Sequence, residues 1–229
     1  MQRDAIFHPA PAFTGAGLLA TVVSLDDPEQ RNRVQVRLCA LDGATQQDAA
    51  MWARVVSPFA GDNRGTFFLP DVGDEVFVMF AGGDARVPLV IGGLWNGASA
   101  APADTQSGGV NRYKRIRSKN GIVITLDDQG GQETLSLETP AGQKLTLADG
   151  PGTIKAQDSN GNSITLDGTG VTVQAAGVVT VDASAVSVKA GIVSVDAAMS
   201  SFNGTITCQT LITSAVVSAS YTPGAGNVW

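Results

Sequence analysis

The chain has 229 residues, 43% of them hydrophobic and only 16% charged, with a net charge of −6. That length holds one large domain or two small ones, and the charged fraction falls below the roughly 25% usual for globular chains. Residues 119–229 carry four basic and nine acidic groups, a balance that repels phosphate backbones and sets nucleic acid aside as an expected partner.

The 27 glycines and 6% aromatics favour turn-rich β structure over helices. No run of 18 apolar residues marks a membrane-spanning helix, and the opening MQRDAIFHPAP lacks the apolar run of a secretory leader. Cys39 and Cys208 lie far apart in alternating segments and read as two buried or half-buried thiols, not a disulfide framework.

Residues 1–16, polar and proline-rich, read as an arm. A strand is predicted over 17–25, then a turn at Asp26-Asp27-Pro28 running to Arg33. Residues 33–40 alternate, with Val34, Val36 and Leu38 facing one way and Gln35, Arg37 and Cys39 the other. Further strands are predicted over 51–57, 75–80 and 87–93, with a long loop over 58–74. Five short strands in under 100 residues, with no helical periodicity, predict a small barrel of the oligonucleotide/oligosaccharide-binding (OB) type over 17–97. Trp52 is expected to anchor it, and Trp95 to wedge near the linker. Phe59, Phe67, Phe68, Phe77 and Phe80 are expected in core and loop packing.

Residues 98–111 are a linker by composition. Beyond it the pattern changes. Ser118-Lys119-Asn120-Gly121 followed by Ile122 to Asp127 returns as Asp158 to Asp167, with a weaker copy at Pro140 to Leu147. Asn-Gly supplies the positive φ of a tight turn, so these read as short strands joined by turns. The basic run Arg112 to Arg117 is read as structural. From Thr169 the chain beats in sevens: TGVTVQA, GVVTVDA, SAVSVKA, GIVSVDA, AMSSFNG. Val173, Val181, Val188, Val195 and Phe202 hold one place in successive units, and Ile206 extends the apolar series.

A fixed short period means stacked units. A unit of seven or eight residues makes one strand and a turn, and one chain has no second layer to cover its valines. A single-chain β-helix needs wider rungs; three chains wound together need one short strand each per layer. The expected fold is therefore all-β, an N-terminal OB barrel followed by an intertwined homotrimeric β-helix or β-prism over 112–220. Val173, Val181, Val188, Val195, Phe202 and Ile206 are its expected trimer core. Closure would also remove exposed strand edges.

One ordered run is specific. Trp52-Ala53-Arg54-Val55 leads through Pro58 and Gly61 to Gly65, then to Phe68-Leu69-Pro70-Asp71-Val72-Gly73-Asp74-Glu75-Val76, and ends at Gly92 and Leu94-Trp95-Asn96-Gly97. With Gly17 to Val23, through Asp27-Pro28 to Arg33-Val34-Gln35-Val36, it strongly resembles the phage baseplate assembly protein V family and the barrel of type VI secretion spike proteins, the valine–glycine repeat proteins. The barrel signature is Trp52, Arg54, Pro58, Gly61, Gly65, Pro70, Gly73, Glu75, Gly92 and Asn96. The resemblance implies a trimeric, non-enzymatic central spike of a contractile injection machine, located in a phage tail baseplate or phage-tail-like particle. Its implied partners are two further copies, a baseplate hub protein and, transiently, the target envelope. The larger secretion homologues carry a hub region that this sequence does not show, so a separate hub protein is implied.

The ending Tyr221-Thr222-Pro223-Gly224-Ala225-Gly226-Asn227-Val228-Trp229 looks like that of spikes that seat a small tip protein of the proline-alanine-alanine-arginine repeat (PAAR) type. Tyr221, Thr222, Pro223, Gly224, Asn227 and Trp229 are the expected docking residues. Some phage spikes hold iron through a His-x-His pair; the one histidine here, His8, lies at the other end. No catalytic, cofactor or metal residues are expected. A Ser-His-Asp arrangement lacks a placed histidine, a zinc site lacks ligands, and about twenty residues between barrel and shaft leave no room for a muramidase domain. The alternative from another class is a carbohydrate- or nucleic-acid-binding OB module on a β-helical stalk; a third reading is a cell-wall hydrolase.

Overall fold

A computed structural model of the chain describes residues 17–39, 50–102 and 109–220. The chain divides into two units between Val178 and Val179. Among the described residues the first unit is built of strands and turns, with a 3-10 turn at Ala81–Gly83.

Strands β1 (Leu18–Ser24), β2 (Val34–Leu38), β3 (Met51–Val55), β6 (Glu75–Phe80) and β7 (Pro88–Gly93) close into a barrel in the order β1-β2-β3-β7-β6. The neighbours are antiparallel except β3 and β7, whose parallel pairing of Arg54 with Leu89 and Val55 with Val90 completes the closure. Alternation sets the inside. Val22, Val34, Val36, Val76, Val78 and Val90 are buried to within 1% of completeness, while the residues between them face outward.

Four expectations are corrected. The segment 58–74 is not all loop: it carries a two-stranded ribbon, β4 (Ala60–Gly61) with β5 (Arg64–Gly65). Phe59, Phe67 and Phe68 ride on or beside that ribbon at 58–70% exposure, so only Phe80 joins the buried core. Trp95 is also exposed, not wedged. Cys39 and Cys208 are both exposed free thiols; Cys39 follows the outward parity of Gln35 and Arg37.

A second sheet has seven strands in strictly sequential order: β8 (Tyr113–Arg117), β9 (Val123–Asp127), β10 (Thr134–Glu138), β11 (Lys144–Ala148), β12 (Thr153–Gln157), β13 (Ser163–Asp167) and β14 (Gly170–Gln174). It is an antiparallel meander whose every ladder lies within one chain. The sequence pattern anticipates β9, β11 and β13; β8, β10 and β12 between them complete hairpins of roughly ten residues per strand. The turns along one edge repeat. Gly121, Gly142 and Gly161 all take φ of 88–90°, and the N–H groups of Gly121 and Gly142 donate to the Ser118 and Thr139 carbonyls to close their turns. Residues 175–220 belong to no strand, and beyond Ala175 all are exposed within the chain.

Candidate functional site

The functional feature of the first unit is a surface, and it follows from strand parity. Residues directly opposite in an antiparallel ladder share a face. Ile116 pairs with Ile124, Ile124 with Leu137, Leu137 with Leu145, Leu145 with Ala156, Ala156 with Ile164 and Ile164 with Val173. A parallel row runs Leu126, Leu135, Leu147, Ile154, Leu166 and Val171. The opposite face carries Arg115, Thr125, Ser136, Thr146, Lys155, Thr165 and Thr172 in register. One face is thus two unbroken rows of aliphatic side chains, and the other a row of hydroxyls and cations.

Nothing in the described chain covers the aliphatic face. Ile124 is half-buried, but the other leucines and isoleucines of the two rows stand 36–49% exposed, and Val171 and Val173 59–67%. Contiguous apolar surface of this kind marks an interaction site. The second unit continues the theme. Val181, Val188, Val195, Phe202 and Ile206 are 63–72% exposed, and Ile192, Ile212 and Val217 88–100%.

Of the expected trimer core, Val173 lies on β14 at the end of the aliphatic face, and the other five lie in the second unit. The expected tip-docking residues Tyr221, Thr222, Pro223, Gly224, Asn227 and Trp229 lie outside the described residues.

The barrel signature residues form no single cluster. Trp52 and Arg54 flank buried Ala53 on β3. Pro58, Gly61 and Gly65 shape the ribbon. A Cβ on Gly65 would come within 2.8 Å of the Phe59 carbonyl, so the ribbon requires glycine there. Pro70 is half-buried ahead of β6, and Gly73 turns with φ 98° while donating its N–H to the Val22 carbonyl. Asn96 Nδ2 donates to Glu75 Oε2 at 2.5 Å, and the Leu94 N–H donates to the Glu75 carbonyl, holding the exit strand against β6. Gly92 sits exposed on β7. These residues set the barrel's shape, and Arg54, Pro58, Gly61 and Gly65 line an open groove beside the ribbon.

One group in the barrel lies outside the ten signature residues. Asp27 is buried. Its carboxylate accepts N–H groups of Glu29, Arg31 and Arg33, and the Arg33 guanidinium at 2.7 and 3.1 Å. The Arg33 bond is the chief reason its carboxyl stays far below the usual range, with the backbone donors adding to it against the cost of burial. Arg33 in turn lies 5.9 Å from the Trp52 ring centre. The cue in the sequence was an acid followed six residues later by arginine in a turn; only the folded loop shows that they meet.

At the entry to the sheet Arg112 grips Asp127, and Lys114 reaches Asp128 at 2.6 Å. These pairs explain Asp127 and Asp128 as structural charges. Among the described residues no group of three or more His, Cys, Asp or Glu side chains could hold a metal ion, and no helix is long and apolar enough to cross a membrane.

Comparison with known proteins follows the same division. Residues 18–95 match the type VI secretion system/phage-baseplate injector OB domain, and residues 134–197 match the phage baseplate V C-terminal trimerisation domain. The chain is 26% identical over 109 residues to the type VI secretion system spike protein VgrG1c of Pseudomonas aeruginosa, a match covering 45% of this chain and 15% of that protein. It is 28% identical over 144 residues to VgrG4b of the same organism, covering 58% and 18% respectively. VgrG3 of Vibrio cholerae is 28% identical over 97 residues, covering 41% of this chain and 10% of that protein. The matched stretch therefore spans less than a fifth of each of these relatives. The chain thus carries, in this order, the two domains of the phage baseplate V family, over residues 18–95 and 134–197.

Proposed function

We propose that three copies of this chain assemble into the central spike of a contractile injection machine, with the barrel at the baseplate and the shaft directed at the target envelope. The supporting observation is the aliphatic face. A sheet with one apolar and one hydroxyl-bearing face is stable in water only when the apolar face is covered. Three equivalent sheets turned inward cover one another and leave the threonines and serines outside. A closed prism has no splayed apolar face left to bind water and no free lateral edge. In the seven-residue region the chain makes no ladder of its own, so its backbone groups and its Val181, Val188, Val195, Phe202 and Ile206 side chains find their partners in the other two copies.

The role is mechanical and needs no active site. Three mutually covered sheets resist unfolding of any one chain, since each must break contacts with two others. Sheath contraction behind such a shaft drives it through an envelope. A hub protein on the barrel side and a PAAR-type tip protein on Tyr221 to Trp229 complete the assembly.

Light scattering on the purified full chain tests the reading. A mass three times the 23.5 kDa chain is expected; a monomer would sink the prism and the piercing role together. Co-purification of a tip protein with the full chain, lost with Trp229→Ala and Tyr221→Ala, tests the docking segment separately.

A further inference from the structure

Residues 171–229 contain only three charged side chains, Asp182, Lys189 and Asp196. All three occupy the same, sixth place in consecutive units, GVVTVDA, SAVSVKA and GIVSVDA, and their signs alternate. Each follows the valine of the beat by one residue, so on a strand it points to the opposite, outer face. Among the described residues none of the three joins an ion pair within the chain. Seven residues of extended backbone span roughly 23 Å, more than twice the screening length at physiological salt, about 8 Å. One chain therefore has no use for this pattern.

Threefold winding gives it one. Let each seven-residue unit form one strand on one face of the shaft, and let the chain move to the next face with each unit. Any single face is then filled by consecutive units drawn from successive copies. The strand bearing Asp182 in one copy lies beside the strand bearing Lys189 in the second, and that beside the strand bearing Asp196 in the third. Neighbouring strands are roughly 4.8 Å apart, well within reach for an ion pair.

We infer that Asp182, Lys189 and Asp196 of three different copies form an alternating ion ladder on each face of the shaft, and that this ladder fixes the register in which the copies wind. The inference rests on the intertwined trimer proposed above, and all three residues fall within the segment matched to the trimerisation domain. The need for such a device comes from the repeat itself. Val181, Val188 and Val195 are interchangeable, so apolar packing alone does not distinguish the correct register from one slipped by a unit. The charges do. A slip in either direction sets aspartate beside aspartate, a like-charge contact that opposes pairing.

The test uses the full chain with Cys39→Ser and Cys208→Ser, so that only introduced thiols react. In the double variant Thr180→Cys/Ser187→Cys, which keeps all three charges, the two positions share the fourth place of consecutive units and belong to adjacent strands of different copies, at a spacing inside the roughly 4.4–6.8 Å Cα range of disulfides. Oxidation is expected to give a covalent trimer on a denaturing, non-reducing gel. Each single variant is expected to run as one chain, because its three thiols lie on three different faces. A double variant that is trimeric by light scattering yet runs as one chain overturns the ladder and leaves the trimer standing. A monomeric mass for the unsubstituted protein overturns both. In a second arm, Lys189→Asp is expected to lower the melting temperature of the trimer, and the full swap Asp182→Lys/Lys189→Asp/Asp196→Lys to restore it. No drop with Lys189→Asp, or no recovery with the swap, counts against the register role.

Discussion

Val78 in the barrel is fully buried, whereas Val188 in the second unit is 71% exposed. The first sits on a strand whose neighbours β1 and β7 come from its own chain. The second sits where the chain forms no ladder of its own. The same side chain thus reports two different ways of completing a fold. The barrel closes within one chain; the apolar side chains of residues 176–220 find no cover within theirs. The seven-stranded sheet lies between these cases, with its backbone paired internally and its aliphatic face uncovered.

The comparison breaks most sharply on that face. Leu137→Asp places a carboxylate in the centre of the aliphatic rows, three times over in a trimer. Burying an unpaired charge costs several kcal/mol per site, so assembly is expected to be lost outright. Light scattering should then read a monomer, while the β-sheet circular dichroism of the barrel persists. A trimer that tolerates the change would mean that the aliphatic face points away from the axis.

Valine truncation sharpens the same contrast. Val78→Ala should destabilise the barrel by about 2 kcal/mol, the loss of two buried methyl groups and the space they leave. Val188→Ala should cost a similar amount per copy if the other copies cover it, and within about 0.5 kcal/mol if it remains as exposed as it is in one chain. Chemical denaturation of the two variants decides between them.

Acid distinguishes the regions through different carboxylates. Asp27 in the barrel and Asp158 in a shaft turn both have lowered pKa values, Asp158 falling from 3.8 to about 2 through the side chain and backbone N–H groups of Asn162, with Asn160 adding to them. A carboxyl bound more weakly by protons in the folded state favours folding above its ordinary pKa. That contribution disappears as pH falls through the folded value. The shaft should therefore lose stability from about pH 4 down to about pH 2, and Asp158→Asn should flatten that part of its melting profile. Asp27→Asn should flatten the barrel's profile and leave the shaft's unchanged.

The barrel was legible because period-two valines leave little choice of face, and Val34, Val36 and Leu38 point as their alternation requires. The expectation of cover from other copies came from the repeat, since a unit of seven residues is too short to cover itself, and the match of residues 134–197 to a trimerisation domain supports it. What escaped was set by turns and long-range contact. Strands β8 and β12 hold one large aliphatic each among charged and polar residues, so their apolar face shows only once their partners are known, whereas β10 carries Leu135 and Leu137 in plain alternation. The segment shaded into the seven-residue beat on paper, yet up to Gln174 the chain pairs with itself at about ten residues per strand. Phe67 and Phe68 read as packing residues because aromatics usually are; their ribbon carries them outward. The Asp27–Arg33 clasp needed the loop's path, which local sequence does not specify.

The smallest expected effect isolates backbone conformation from packing. Gly161 turns the chain between β12 and β13 with φ 90°, and the nearest neighbour of an added Cβ would be the Ala176 Cβ at 3.7 Å, an ordinary contact. Gly161→Ala therefore meets no clash, only the penalty of an L-residue in the left-handed region, about 1–2 kcal/mol. Gly142 has the same φ of 88° with a tighter neighbour, Ser159 Cβ at 3.4 Å. If backbone strain alone governs these turns, the two alanine variants should lower the shaft's melting temperature equally and leave the barrel's untouched. A larger drop for Gly142→Ala would show that close approach between successive turns along the sheet edge, and not φ alone, is what glycine provides there.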